Sequence, residues 1–232
     1  MNYLIILSGG TGSRMHSNIP KQYIEVLDKP ILFYTLKCFD LSLFNKVSVV
    51  VSNSWKKFVK ELVNDNFQND KFVYAEAGLS RQESILNGLE SLYSFASKED
   101  VVIIHDAARP CCHQRIVDNL IFACKNHEGA MPVLPVKDTI YLSKNGKCIS
   151  NLLNRDELFC GQSPEAFRYE AYYSIHKGLS SDDLKEIRGS SEIAFKNGLD
   201  IVFVHGDESN FKITTPIDLK RFKETIESEG EQ

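Results

Sequence analysis

Ser8-Gly9-Gly10-Thr11-Gly12-Ser13-Arg14-Met15 follows directly on the apolar run Tyr3–Leu7. Glycines there let the backbone turn tightly and bring N–H groups against a phosphate. Arg14 adds a planar fork for phosphate oxygens. A dinucleotide loop would carry a third glycine and a Walker loop would end Gly-Lys-Ser/Thr; the segment has neither, and a plain strand–helix turn could share its composition. Lys21 follows in Ile19-Pro20-Lys21-Gln22. Two cations from one segment can straddle a triphosphate and neutralise charge developing at its α-phosphorus, although Lys21 by itself would pass for a solvated surface lysine.

Asp106 stands at the carboxyl end of the apolar run VVIIH. A carboxylate facing a triphosphate is repelled unless a cation lies between them, and Mg²⁺ prefers one or two carboxylates plus phosphate oxygens. Asp106 therefore reads as a Mg²⁺ ligand, with a helix N-cap for the following segment as the alternative. Arg109 reads as a phosphate or structural partner, and His105 as a packed or hydrogen-bonded residue rather than a base.

The elements that must hold these residues alternate along the chain. Tyr3–Leu7, Lys46–Val51, Lys71–Ala75, Asp100–His105, Ala130–Val136 and Ile201–His205 read as strands. Pro30–Phe39, Ser54–Asn64, Arg81–Phe95, Arg115–Asn126, Pro164–His176, Glu192–Asn197 and Pro216–Glu227 read as helices. Continuous rather than alternating apolar strands imply an α/β fold, a mostly parallel sheet covered on both faces, with ligands beyond the carboxyl ends of the strands. Asp138–Asn154 breaks the rhythm: it is polar and turns at Asn145-Gly146, so it reads as a hairpin arm projecting from the body, suited to docking on a partner subunit.

Composition narrows the functions available. The chain has 232 residues, 43% hydrophobic and 25% charged, with a formal net charge of -4. A mildly acidic surface argues against bulk nucleic-acid or anionic-membrane binding, so a phosphate site must be local. No apolar run approaches the ~20 residues of a membrane span, and Tyr3–Leu7 lacks the basic flank and cleavage site of a signal peptide. The six cysteines form no CxxC, and the adjacent Cys111 and Cys112 suit neither a disulfide framework nor a tetrahedral metal site. Reduced cytoplasmic thiols, and one domain over 1–232, are the expectation.

LSGGTGSRMHSNIPKQY at 7–23 resembles the nucleotide-binding signature of the small CTP-dependent cytidylyltransferases acting on polyol phosphates. The resemblance continues through GLSRQESILNGL at 78–89, HDAARP at 105–110, PVKDT at 135–139, NRDELFCGQSPEAF at 154–167 and SNFKITTPIDL at 209–219. It implies a Rossmann-like nucleotidyltransferase fold with a dimerisation arm, and transfer of CMP from CTP to a substrate phosphate with release of pyrophosphate. It implies that Gly9, Gly10, Thr11 and Gly12 wrap the CTP phosphates and cytosine, that Arg14 and Lys21 hold the triphosphate, and that Gly78, Arg81 and Ser84 lie near the base and ribose. Lys212 would contact the substrate side. Arg109, Thr139, Arg155 and Ser163 would serve the acceptor, with the arm of one subunit completing the site of the other in a homodimer. The nucleophile is then an anionic phosphate oxygen, and no general base is needed.

Two departures fall on the acceptor side. The family's Thr-Asp pair is replaced by Arg188-Gly189, where Ser190 or Ser191 could supply the hydroxyl or Arg188 could add a cation, and the threonine of its Gln-Thr-Pro motif is Ser163. SNIPKQ, GQSP and SNFKITT look like ribitol-5-phosphate enzymes, whereas HDAARP and PVKDT look like methylerythritol-phosphate enzymes. A ribitol-5-phosphate-like acceptor, as in teichoic-acid or capsule precursors, is favoured, with the isoprenoid-precursor enzyme as the alternative. A nucleotidyltransferase using another nucleotide or sugar phosphate is the more distant one.

Overall fold

Leu4 and Ile6 of the first strand point to one side and Tyr3 and Ile5 to the other, and all four are fully buried. A strand that is apolar on both faces must be covered on both, and the chain supplies helices for each. The computed structural model describes residues 1–12, 15, 17–187 and 189–230. Its strands are β1 (Asn2–Leu7), β2 (Glu25–Val26), β3 (Lys29–Pro30), β4 (Lys46–Val51), β5 (Phe72–Glu76), β6 (Val101–Asp106), β7 (Gly129–Pro135), β8 (Tyr141–Leu142), β9 (Asn151–Leu152), β10 (Phe159–Gly161), β11 (Glu165–Arg168) and β12 (Ile201–His205). Its helices are α1 (Ile31–Lys37), α2 (Lys56–Asn66), α3 (Arg81–Leu92), α4 (Gln114–Ala123), α5 (Tyr169–Gly178), α6 (Ser181–Glu186), α7 (Ser190–Lys196) and α8 (Pro216–Gly230).

The main sheet runs β10-β7-β11-β6-β1-β4-β5, with β12 on the other edge of β7. β1 pairs parallel with β4 and β6, β4 with β5, and β7 with β12. One face packs Leu4, Ile6 and Ile103 under α1, α2 and α4, and the other packs Tyr3, Ile5 and Ile104 under α3, α5 and α7. Each aliphatic side chain buried in this way contributes about 1.5–3 kcal/mol.

The α/β expectation holds, and one stretch corrects the sequence reading. Pro164–His176 is not a single helix. Glu165–Arg168 is strand β11, inserted antiparallel between β6 and β7, and the helix α5 starts at Tyr169. Phe159–Gly161 is a further antiparallel strand on β7. β11 pairs with Gly129 and Ala130 while β10 pairs with Val133–Pro135, so both lie along one edge of β7 and Gln162-Ser163-Pro164 forms the break between them. The short helix α6, closed by a Ser180–Asp183 capping box, was also absent from the sequence reading.

In the polar segment, β8 and β9 pair antiparallel through Tyr141↔Leu152 and Leu142↔Asn151, and residues 141–152 are all exposed. Gly146 takes φ +70°, as an Asn-Gly turn requires. No helix among the described residues is long and apolar enough to cross a membrane.

Candidate active site

Four connections converge where β1 and β6 end. The glycine loop leaves β1 after Leu7. Gly78–Ser80 links β5 to α3, where Ser80 caps the helix by accepting the Glu83 N–H (3.1 Å) and so places Arg81 as its first residue. Asp106 is the last residue of β6, and Lys212 comes from the segment between β12 and α8.

The Asp106 carboxylate is the electrostatic centre. Its Oδ1 faces Arg81 Nη2 at 3.2 Å, and its Oδ2 faces Lys212 Nζ at 2.9 Å and Arg109 Nε at 3.6 Å. Burial alone would raise its pKa, but Arg81, Lys212 and Arg109 outweigh burial and hold the carboxyl well below the usual carboxylate range. Arg81 also lies 3.9 Å from Glu165 Oε1 and donates to Ser190 Oγ at 2.6 Å. Burial opposes its charge, but the two carboxylates keep the guanidinium firmly protonated. Lys21 Nζ donates to the Ile213 carbonyl at 2.6 Å, beside Lys212. With Lys21 included, cations outnumber carboxylates, which suits a polyanionic ligand.

Two cavities meet at this cluster. One, of about 590 Å³, is walled by the glycine loop, Lys21, Gly78 and Ser84. The other, of about 610 Å³, runs from Arg109 past Ser163 and Glu165 to Met131 and Phe203. Arg81, Asp106 and Lys212 line both. These three side chains form a common wall at which a group bound in the first cavity can meet one bound in the second.

A family model described as IspD, 2-C-methyl-D-erythritol 4-phosphate cytidylyltransferase, matches residues 3–228. The chain belongs to that family. It is a CTP-dependent cytidylyltransferase. Ribitol-5-phosphate cytidylyltransferase of Streptococcus pneumoniae serotype 2 is 34% identical over 235 residues, covering 99% of this chain and 100% of its own. The 2-C-methyl-D-erythritol 4-phosphate cytidylyltransferase of Francisella tularensis superposes with a TM-score of 0.77 at 27% identity, covering 95% of this chain and 97% of its own. A 4-diphosphocytidyl-2C-methyl-D-erythritol synthase from Anaerococcus prevotii shares the fold, with a TM-score of 0.80 at 21% identity and 98% of each chain covered.

Most of the residues singled out by sequence line these two cavities. Gly9, Gly10, Thr11, Gly12, Lys21, Gly78 and Ser84 line the first cavity. Ser84 pins the Gly78 turn by accepting the Gly78 N–H at 3.0 Å and donating to the Ser80 carbonyl at 2.9 Å. Ser163 Oγ accepts the Asp106 N–H at 3.2 Å, and both Ser163 and Arg109 line the second cavity. Thr139 and Arg155 line neither of these two cavities; Arg155 donates to the Lys137 carbonyl. Arg14 and Arg188 lie outside the described residues. Of the hydroxyls considered in place of the family's Thr-Asp pair, Ser190 Oγ is taken by Arg81 and Ser191 Oγ donates to Glu165 at 2.6 Å.

Sequence reasoning missed Gln22 and Glu165. Gln22 is buried, and its Nε2 donates to both the Ser8 and Gly10 carbonyls, at 2.7 and 2.9 Å. Binding these carbonyls holds the curve of the loop, and their apposition could not be read from spacing. Gly9→Ala should damage the same loop, because its Cβ would overlap the Ala77 Cβ. The expected result is a KM for CTP raised at least tenfold and a stability loss of about 1–3 kcal/mol. Steady-state kinetics with thermal melts check both, and an unchanged KM would dispose of the loop's role.

His105 is no base: its Nε2 lies 2.9 Å from the Arg109 carbonyl, and burial lowers its pKa to about 4. His176, packed under Tyr172 and bonded to Gln82, is lowered to about 4 for the same reason. Both folded-state values fall below the ordinary 6.5, so the stabilisation is complete above pH 6.5 and is lost as pH falls towards 4, by about 1.4 kcal/mol per unit per group. Urea unfolding across pH 8 to 4.5 should be level above 7 and decline below 6.5. A level profile throughout would refute the neutral buried pair.

Proposed function

We propose that the protein transfers CMP from CTP to a ribitol-5-phosphate-like acceptor, giving a CDP-polyol and pyrophosphate. The observation that carries this reading is the shared wall of Arg81, Asp106 and Lys212 between two cavities. The full-length likeness to the pneumococcal ribitol-5-phosphate enzyme supports the choice of acceptor. Methylerythritol phosphate is the second reading, supported by the matching family model.

The glycine-loop cavity takes the nucleotide, and Lys21 faces its phosphates from a side chain anchored on Ile213. The acceptor enters the second cavity with its phosphate towards Lys212, Arg109 and Arg81. An acceptor phosphate oxygen forms a bond to the α-phosphorus, and the bond from that phosphorus to the bridging oxygen breaks. Its electron pair leaves with pyrophosphate. Positioning and charge neutralisation by these cations supply the rate.

Mg²⁺ fits here as an ion shared with the substrate. Among the described residues no three His, Cys, Asp or Glu side chains cluster as a protein cage. Asp106 offers one carboxylate, which matches the preference of Mg²⁺ for one or two carboxylates and phosphate oxygens. When bound, it would neutralise triphosphate charge beside Asp106.

The arm, with Tyr141, Leu142, Ile149 and Leu152 exposed, suits docking on a second copy. This would carry Thr139 and Arg155 to the partner's acceptor cavity in a homodimer. The same reading places the enzyme in the cytoplasm.

Pyrophosphate release from CTP and Mg²⁺ with a panel of sugar and polyol phosphates tests the reading. Turnover should be highest with ribitol 5-phosphate. Turnover only with 2-C-methyl-D-erythritol 4-phosphate would establish the second reading, and release from UTP or GTP at comparable rates would overturn both.

A further inference from the structure

Glu165 stands out in the acceptor cavity. It opens β11, its side chain is 9% exposed, and it lines only the second cavity. Its Oε2 accepts both the N–H and the Oγ–H of Ser191, at 2.8 and 2.6 Å, which fixes the carboxylate against the start of α7. Among the described residues its Oε1 makes no hydrogen bond, and the nearest cation is Arg81 at 3.9 Å. Oε1 is open to the cavity it lines, and with Oε2 holding the carboxylate in place it is a fixed, charged acceptor for a donor on a ligand.

On the acceptor reading above, we propose that Glu165 is a specificity-determining residue, whose Oε1 accepts a hydroxyl of the polyol. Electrostatics assign the two ends of the acceptor. A phosphate is drawn to Lys212 and Arg109 and repelled by Glu165, whereas a neutral hydroxyl binds a carboxylate as a charge-assisted donor. The phosphate therefore lies at the wall shared with the nucleotide cavity, and the polyol chain extends towards Gln162, Ser163 and Glu165. A carboxylate held in this way favours acceptors with a hydroxyl at one fixed distance from the phosphate.

Glu165→Gln keeps the shape and can still accept from Ser191. The test measures KM and kcat for wild type and Glu165→Gln with ribitol 5-phosphate and with each of its monodeoxy analogues. The expected result is an acceptor KM raised about tenfold to a hundredfold with ribitol 5-phosphate, with the KM for CTP unchanged. For one deoxy analogue, wild type should already show that loss and the substitution should add little. An equal loss of kcat with every analogue would overturn the assignment and leave Glu165 as a support for Arg81. Wild-type silence with every polyol phosphate would overturn the acceptor reading together with this one, whereas wild-type turnover with an unaffected variant overturns this one alone. If Glu165→Gln does not fold, as circular dichroism would show, Glu165→Asp retains the charge but withdraws it from the cavity. The same rise in acceptor KM is expected, and its absence would overturn the proposal.

Discussion

Asp106→Asn should lower kcat/KM for CMP transfer about a thousandfold while costing about 3 kcal/mol of stability. Both effects have one origin. The carboxylate is the common partner of Arg81, Lys212 and Arg109, and asparagine fills its space without its charge. Three cations then face one another across a site that is mostly buried, and their positions relax. The proposed metal loses its single carboxylate at the same time. The wild-type carboxyl lies well below the usual range, so its stabilisation is present above the ordinary carboxyl value of about 3.9 and is lost only as pH falls through the lower folded value. Between pH 5 and 9 the difference between wild type and variant should therefore be constant. Pyrophosphate release and urea unfolding at pH 5.5, 7 and 8.5 measure it. A variant with more than a tenth of the wild-type rate would remove Asp106 from the centre of the mechanism.

The parts of this cluster that were legible in the sequence are those fixed by local pattern. Asp106 follows an unbroken apolar run, and an unbroken run marks a central parallel strand, whose carboxyl end is where such folds bind ligands. The glycine loop follows β1 on the same logic. Arg81 and Ser84 were found through the family resemblance, but not the contacts that Arg81 makes, because Asp106, Glu165 and Ser190 reach it from three separate elements. Glu165 was lost for a different reason. Reading Pro164–His176 as one helix hid a four-residue strand, too short for its period to separate it from the helix that follows at Tyr169. Only its pairing with both β6 and β7 makes it a strand, and that pairing is tertiary. The arm illustrates the limit of pattern on the functional side. Its Asn-Gly turn was legible, but Thr139 and Arg155 line neither of the two cavities beside Asp106, and their proposed acceptor role rests on the family resemblance alone.

Lys21→Met and Lys212→Met should each reduce kcat by about 10²–10³, and the double variant should lose much less than the product of the two. Lys21 Nζ is bonded to the carbonyl of Ile213, the residue next to Lys212, across 192 positions of chain. Lys212 Nζ in turn holds Asp106 at 2.9 Å. Removing Lys21 therefore takes a charge from the glycine-loop cavity and also releases the backbone beside Lys212. Once Lys21 is gone, much of what Lys212 contributed has gone with it, and residues acting as a unit give non-additive losses. Lys212→Met leaves the Lys21–Ile213 tether in place, so its effect should fall on kcat with the KM for CTP nearly unchanged, whereas Lys21→Met should raise that KM as well. Single-turnover rates for the four enzymes, with CTP saturating, separate these cases. Losses that multiply would mean that the two lysines act independently and that the tether has no part in catalysis. Losses that overlap would make the 212–214 segment a shared support through which each half of the site depends on the other.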